Sequence, residues 1–302
     1  MSELSFSPES RPLGKSGLHV SPLAWGMWRF AGTAIKDARA CVEAAFEAGI
    51  TLFDTADIYG ADTTEGFGSA EALLGEIFAE APALRHKMVL ASKGGIIIGT
   101  PYDSGAAYIA TAIDASLMRL GVDHIDLWQV HRPDILTHPA ELARALETAK
   151  AAGKIGAIGV SNYTIAQTAA LMAHLDTPLA TIQPELSALH LQPIEDGTLD
   201  QAMAHDVAVL AWSPLGGGRL VVPQSERERA VAAALQIQAD KFDVSLSTAA
   251  LSWIMAHPAR AIPIIGSQNP ARIREAADVF KVVWTRADWY TIFVASKGEP
   301  LP

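Results

Sequence analysis

Apolar runs rich in Ile, Val and Leu recur along this chain, and each closes on a polar or aromatic residue before helical sequence begins. FDTADIYG (53–60), ASKGG (91–95) and QVHRPD (129–134) carry Asp54, Tyr59, Lys93 and His131. Asp54 and Lys93 lie 39 residues apart, and Lys93 and His131 lie 38 apart. A near-even spacing with helical sequence between reads as successive βα units. Side chains at the same end of neighbouring parallel strands converge. The spacing therefore gathers an acid, a phenol, an amine and an imidazole at one mouth, a set suited to proton chemistry on a bound carbonyl.

The rest of the chain keeps the alternation. Strands are predicted at 21–27, 51–57, 87–93, 125–131, 155–162, 179–186, 207–215 and 262–266. Helices are predicted at 36–48, 69–80, 106–120, 138–152, 164–174, 197–205, 226–256 in two pieces, and 271–279. Ahead of them, the turn-rich segment 7–20 reads as a short N-terminal hairpin with Gly14 and Gly17 at its turns. Unbroken apolar strands suit a parallel sheet buried on both faces. Eight strand–helix pairs over about 250 residues is the count of an α/β protein of the (β/α)8 TIM-barrel type. An open doubly wound sheet is the competing architecture. It lacks its dinucleotide fingerprint here: GFGSAE (66–71) has no final Gly and follows a loop, and Ser69 within it reads as a helix N-cap. No Pro/Gly/Ser linker divides the sequence, so residues 1–302 are expected to form one domain.

Charge and cysteine usage narrow the function. A net charge of −10 without a long basic run argues against nucleic acid or an anionic membrane as partner. The single cysteine, Cys41, lies in an apolar helical run and reads as a buried small hydrophobe in a reducing compartment. No signal-peptide core and no uncharged apolar run of 18 residues is found, so a cytoplasmic protein is expected. No metal site is expected. The oligomeric state is left between a monomer and a weak homo-oligomer.

In a barrel the active site forms at the C-terminal mouth from the ends of several strands. Those ends read Trp28, Asp54, Lys93, His131, Ser161-Asn162, Gln183, Trp212-Ser213 and Gly266-Ser267. A phenol with a pKa of about 10 is a poor acid near neutrality. An ammonium at ~4 Å, in an effective dielectric of ~20, attracts the phenolate by about 4 kcal/mol. That is roughly 3 pKa units, so Lys93 is expected to bring Tyr59 towards neutral. Asp54 would keep Lys93 charged, and His131 would orient a substrate oxygen. Taken singly, each residue has a plainer reading: Asp54 a cap, Tyr59 a loop aromatic, Lys93 a solvated cation, His131 a structural imidazole. Two later segments add an anion site. WSPLGGGRL (212–220) brings three glycines and Arg219, and IIGSQNPARIREA (264–276) brings Ser267 and Asn269 ahead of a helix. Loops after strands seven and eight with a helix N-terminus are a common phosphate site. Trp212 is either a ring-stacking aromatic or a core tryptophan.

Together FDTADIYG, SKGG, QVHRPD, GVSN, Gln183, WSPLGGG and GSQNPARIREA resemble the aldo-keto reductases, over about residues 11 to 280. The resemblance implies a (β/α)8 barrel that reduces aldehydes and ketones with NADPH. It makes Tyr59 the general acid, Lys93 the group that lowers its pKa, Asp54 the partner of Lys93, and His131 the residue that orients the carbonyl. It assigns Ser161, Asn162 and Gln183 to the nicotinamide carboxamide, and Trp212, with Ser213 beside it, to the nicotinamide ring. Met27 neighbours the nicotinamide ribose, and Leu215, Gly217 and Arg219 the pyrophosphate. Gly266, Ser267, Arg272 and Glu275 fall at the adenosine end, and Trp28 on the substrate-pocket wall. Gly266 stands where many members have Lys, and Ala276 where many have Asn, which implies weaker discrimination between NADPH and NADH. Two other functions fit less well: a nucleotide-binding redox sensor or regulatory subunit, and a barrel aldolase using Lys93 as a Schiff base.

Overall fold

The computed structural model describes residues 3–4 and 6–302. Eight parallel strands form a closed barrel: β1 Ala24–Gly26, β2 Leu52–Asp54, β3 Val89–Gly94, β4 Ile125–Val130, β5 Ile155–Ser161, β6 Thr181–Gln183, β7 Ala208–Ala211 and β8 Ile262–Ile265. Each pairs with the next in sequence, and β8 closes on β1 through Ile264 opposite Ala24 and Ile265 opposite Trp25. The register sets the mouth. Asp54 lies opposite Gly26 on one side and Ala91 on the other, Lys93 opposite Gln129, and Ser161 opposite Gln183.

Helices α1 Ile35–Glu47, α2 Ser69–Glu80, α3 Ala106–Leu120, α4 Pro139–Ala151, α5 Ile165–Met172, α6 Thr198–His205, α7 Glu226–Phe242, α8 Leu246–Met255, α9 Pro270–Glu275 and α10 Arg286–Lys297 surround the strands. Two apolar clusters divide the core. One fills the barrel's floor with Leu13, Val20, Ala24, Leu52, Ala91, Leu127, Leu210, Ile262 and their neighbours. The other, larger, lies between strands and helices, where Trp25, Phe53, Trp128 and Trp253 are fully buried. Cys41 belongs to this layer as a buried thiol, as its apolar setting predicts.

The N-terminal hairpin pairs Arg11–Pro12 with His19–Val20 and sends Leu13 and Val20 into the floor. Gly14 turns there at φ 57, where an added Cβ would meet the Ala180 carbonyl oxygen at 2.5 Å, so only glycine fits.

Three sequence expectations change. The strand predicted at 179–186 stops at Gln183, before Pro184, which has no N–H for a ladder, and the one predicted at 207–215 stops at Ala211, two residues before Ser213 turns to φ 49. Ser69 is the first residue of α2 and not its cap. Gly68 holds the cap position at φ 84, and the Ser69 hydroxyl donates back to the Gly66 carbonyl at 2.7 Å. The helix predicted at 271–279 ends as α9 at Glu275 and tightens into a 3-10 turn over Ala276–Lys281. No described helix is long and apolar enough to cross a membrane.

Candidate active site

Lys93 projects into the barrel from β3 and is fully buried. Its ammonium has three N–H donors, and all three are used. One reaches Asp54 Oδ2 at 2.6 Å, one the Thr55 carbonyl at 2.8 Å, and one the Tyr59 hydroxyl at 3.0 Å. The aromatic ring of Tyr59 also lies under the ammonium, 4.7 Å from its centroid. The loop after β2 brings Tyr59 back over the mouth, because Thr55 and Asp57 donate their amides to the Ala91 and Lys93 carbonyls of β3.

Asp54 is 2% exposed and satisfied on its second oxygen as well. Gln129 and Gln183 donate to Oδ1 at 3.1 and 3.0 Å. Thr181 in turn donates to Gln129 Oε1 at 3.1 Å. This network needs a gap in β5, and Gly159 supplies it: a Cβ there would lie 2.0 Å from Thr181 Oγ1 and 2.9 Å from Gln129 Cγ. Gln129 and Thr181 do not stand out in the sequence. The available signal is period two: Gln129 lies two residues after Leu127 and two before His131, so it shares their inward face.

Charge in this setting follows from burial first. Burial raises the Tyr59 pKa, and Asp54 adds to the rise, outweighing the pull of Lys93. The expected shift towards neutral is therefore corrected: the phenol keeps its proton more firmly than in water. Burial works against the Lys93 charge, but Asp54 and the hydrogen bonds to Asp54 and Tyr59 outweigh it, and its pKa is raised. Burial, then Lys93 and Arg132, hold His131 well below the ordinary imidazole range. His131 is thus a neutral ring, and its Nδ1 is buried without a partner among the described residues. The arrangement can donate a proton from Tyr59 and stabilise the phenolate with the Lys93 ammonium, while presenting a neutral imidazole alongside. Trp28, 57% exposed, meets Tyr59 edge to face at 5.3 Å between ring centroids.

The other sequence candidates divide into groups. Ser161, Asn162, Gln183 and Trp212 form one hydrogen-bonded shelf. Ser161 Oγ donates to the Gln183 carbonyl at 2.8 Å, Asn162 Nδ2 donates to Ser161 Oγ at 2.8 Å, and Trp212 Nε1 donates to Asn162 Oδ1 at 2.9 Å. Asn162 adopts φ 60, which turns its side chain across the mouth. Trp212 is half-buried, with the Arg132 guanidinium 5.8 Å over its ring, so it is a mouth residue and not a core tryptophan. Arg132 is a further mouth cation, one that the spacing of strand ends does not single out.

Farther out, Ser213 (φ 49) and half-buried Leu215 lead into Gly216–Gly218, all three at positive φ. An added Cβ at Gly217, Gly218 or Gly266 would meet nothing within 4 Å, so their backbones face open space. Arg219 Nε donates to the Gly216 carbonyl at 2.8 Å, and its Nη1 pairs with Glu228 at 3.4 Å. Ser267 Oγ accepts from the Asn269 amide at 3.2 Å, and Asn269 caps α9. Arg272 and Glu275 on α9 are exposed. The Met27 side chain is fully buried in the core.

Comparison with known proteins follows the same outline. The model of the aldo/keto reductase family matches residues 22–294. A 6-dehydroglucose reductase of Novosphingobium aromaticivorans is 57% identical, covering 100% of both chains. One from Agrobacterium fabrum is 36% identical over 93% of this chain and 96% of its own. Among solved structures, the glycerol dehydrogenase of Gluconobacter oxydans superposes with a TM-score of 0.84 at 27% identity, covering 98% of each chain. A thermostable aldo-keto reductase in complex with the inhibitor epalrestat gives 0.81 at 21% identity over 95% of this chain and 99% of its own, a likeness of fold alone.

Proposed function

The chain belongs to the aldo/keto reductase family of oxidoreductases, and from that premise we propose that it reduces an aldehyde or ketone to the alcohol with NADPH, Tyr59 acting as general acid. The observation that carries this reading is the 3.0 Å contact between the Lys93 ammonium and the Tyr59 hydroxyl, in a buried setting where all three ammonium N–H donors are used. Tyr59 gives its proton to the carbonyl oxygen as negative charge grows there. The phenolate left behind is stabilised by Lys93, and Asp54 keeps Lys93 charged throughout. With Nδ1 of His131 buried, its other ring nitrogen is the one that meets the substrate oxygen, and a neutral N–H there is a donor that does not compete for the Tyr59 proton.

The residues for a nicotinamide nucleotide fit. Asn162 presents its amide beside His131 and Gln183 beside Asp54, and Trp212 offers a ring face. Ser161 acts by anchoring Asn162, and Met27 by its backbone alone. Gly217 and Gly266 allow close backbone approach by phosphates, with Ser213, Leu215, Arg219, Ser267, Arg272 and Glu275 around them. A bound nicotinamide supplies the hydride to the carbonyl carbon. Exposed Arg272 gives one cation for a 2′-phosphate, so NADP(H) is the proposed cofactor, with weakened selection against NADH because Gly266 contributes no charge.

Full-length identity to a 6-dehydroglucose reductase supports 6-dehydroglucose as the substrate. One cytoplasmic domain over 1–302 acting on a small carbonyl compound completes the reading. The test is NADPH oxidation by the purified protein with 6-dehydroglucose and a panel of simple aldehydes. The expected kcat/KM is about tenfold or more higher for 6-dehydroglucose. NADPH binding without oxidation by any carbonyl would instead indicate a sensor.

A further inference from the structure

On the outer face of the barrel wall, behind Lys93, lies a second titratable cluster that the reaction does not use. Asp57, between Asp54 and Tyr59 in the chain, is 1% exposed. Its carboxyl packs against Gly94: a Cβ at that glycine would lie 3.0 Å from Asp57 Oδ2 and 2.7 Å from Trp128 Cζ2. Oδ1 of Asp57 and Nε1 of Trp128 have no hydrogen-bond partner among the described residues.

The charged and titratable groups facing Asp57 are Glu71 on α2, Arg119 and Tyr108 on α3, and Lys93 on β3. Both cations are already paired. Arg119 holds Glu71 Oε2 at 2.6 and 2.8 Å, and Glu71 Oε1 accepts from Ser92 at 2.5 Å. Lys93 has no donor left. The nearest acid, Glu71, is fully buried and carries like charge. An ionised Asp57 would be a buried charge without a counter-ion, which folded proteins avoid by protonation.

We propose that Asp57 is a positioning residue held as a neutral acid, bracing the Lys93–Gly94 strand end against the Tyr59 loop, and that losing its proton loosens this brace. Its effect on rate rests on Tyr59 as the proton donor; its effect on stability does not. The balance of charges agrees. Burial, then Glu71, pushes Asp57 up to about 8 against the pull of Arg119, the Ile58 amide and Lys93.

An unfolded aspartate loses its proton near pH ~3.9. From there to about pH 8 the folded chain holds one proton more than the unfolded chain at this site. Each rise of one pH unit in that window therefore weakens folding through this group by up to about tenfold, and above it the contribution is flat.

Asp57→Asn has the same shape and cannot ionise. Thermal unfolding of both proteins from pH 5 to 9 is the first test. The variant is expected to gain on the wild type with each step up to about pH 8, after which the gap levels off. Parallel curves would overturn the proposal. The second test is the carbonyl reduction rate, each protein normalised to its own value at pH 6. The wild type is expected to fall through about pH 8 and the variant to stay flat to pH 9; the same fall in both removes the positioning role. Should the variant not fold, a carbon-13 titration of aspartate carboxyls in the wild type decides. One carboxyl titrating near 8 is expected, and none above pH 6 overturns the idea. An inactive wild type would sink the reductase reading and leave the unfolding and carboxyl results standing.

Discussion

Three strands of the barrel carry an apolar residue and, two positions on, a polar one facing the same interior: Leu52 and Asp54, Ala91 and Lys93, Leu127 and Gln129. The lower residues form a floor held by area removed from water, which is non-directional. The upper residues form a layer held by hydrogen bonds and one buried ion pair, which tolerate no missing partner. The same backbone supports both because strand side chains alternate with period two. The contrast separates stability from chemistry: the floor keeps the barrel closed, and the mouth layer fixes one ammonium beside one phenol.

The largest effect is expected where the two roles coincide. Lys93→Met leaves Asp54 buried and unpaired, so stability should fall by about 3–5 kcal/mol in urea unfolding. Carbonyl reduction should fall by about 10²–10⁴ in the same protein. A floor substitution should separate the two. Leu127→Ala is expected to cost about 2–5 kcal/mol of stability while the rate per folded molecule holds. A large loss of rate at unchanged stability would break the division between floor and mouth. The smallest effect belongs to the rim. Exposed Arg272→Ala should weaken NADPH by about 1.5–3 kcal/mol, the range for a hydrogen bond to a charged group, seen as a higher KM for NADPH with the KM for NADH unmoved.

The mouth is legible in the sequence wherever chemistry interrupts a pattern. Asp54, Lys93 and His131 stand out because each ends an apolar run, and the register then brings them together. Gln129 and Thr181 escape notice because they lie inside their strands, where a single polar residue reads as tolerated variation. Burial is set by the whole fold, so the direction of the Tyr59 shift does not follow from the Lys93–Tyr59 pair alone; desolvation decides it. The inward or outward sense of a side chain depends on register, so local pattern alone does not foretell that the Met27 side chain lies in the core. Helix α10 is not predicted from the sequence although Thr285 caps it, accepting from the Asp288 amide at 3.1 Å. Likewise the pairing of Glu3–Leu4 with Trp284–Thr285 joins segments far apart in sequence, a contact that local pattern does not carry.

Tyr59→Phe removes one oxygen atom and its proton from the Lys93 contact while leaving the ring between Trp28 and His131. Single-turnover reduction measured beside NADPH titration is the most direct test of Tyr59 as proton donor. The expected result is a rate lower by about 10²–10⁴ with nucleotide affinity retained. A variant that keeps most of the wild-type rate would show that the proton comes from elsewhere, and the catalytic roles of Lys93 and Asp54 would fall with it.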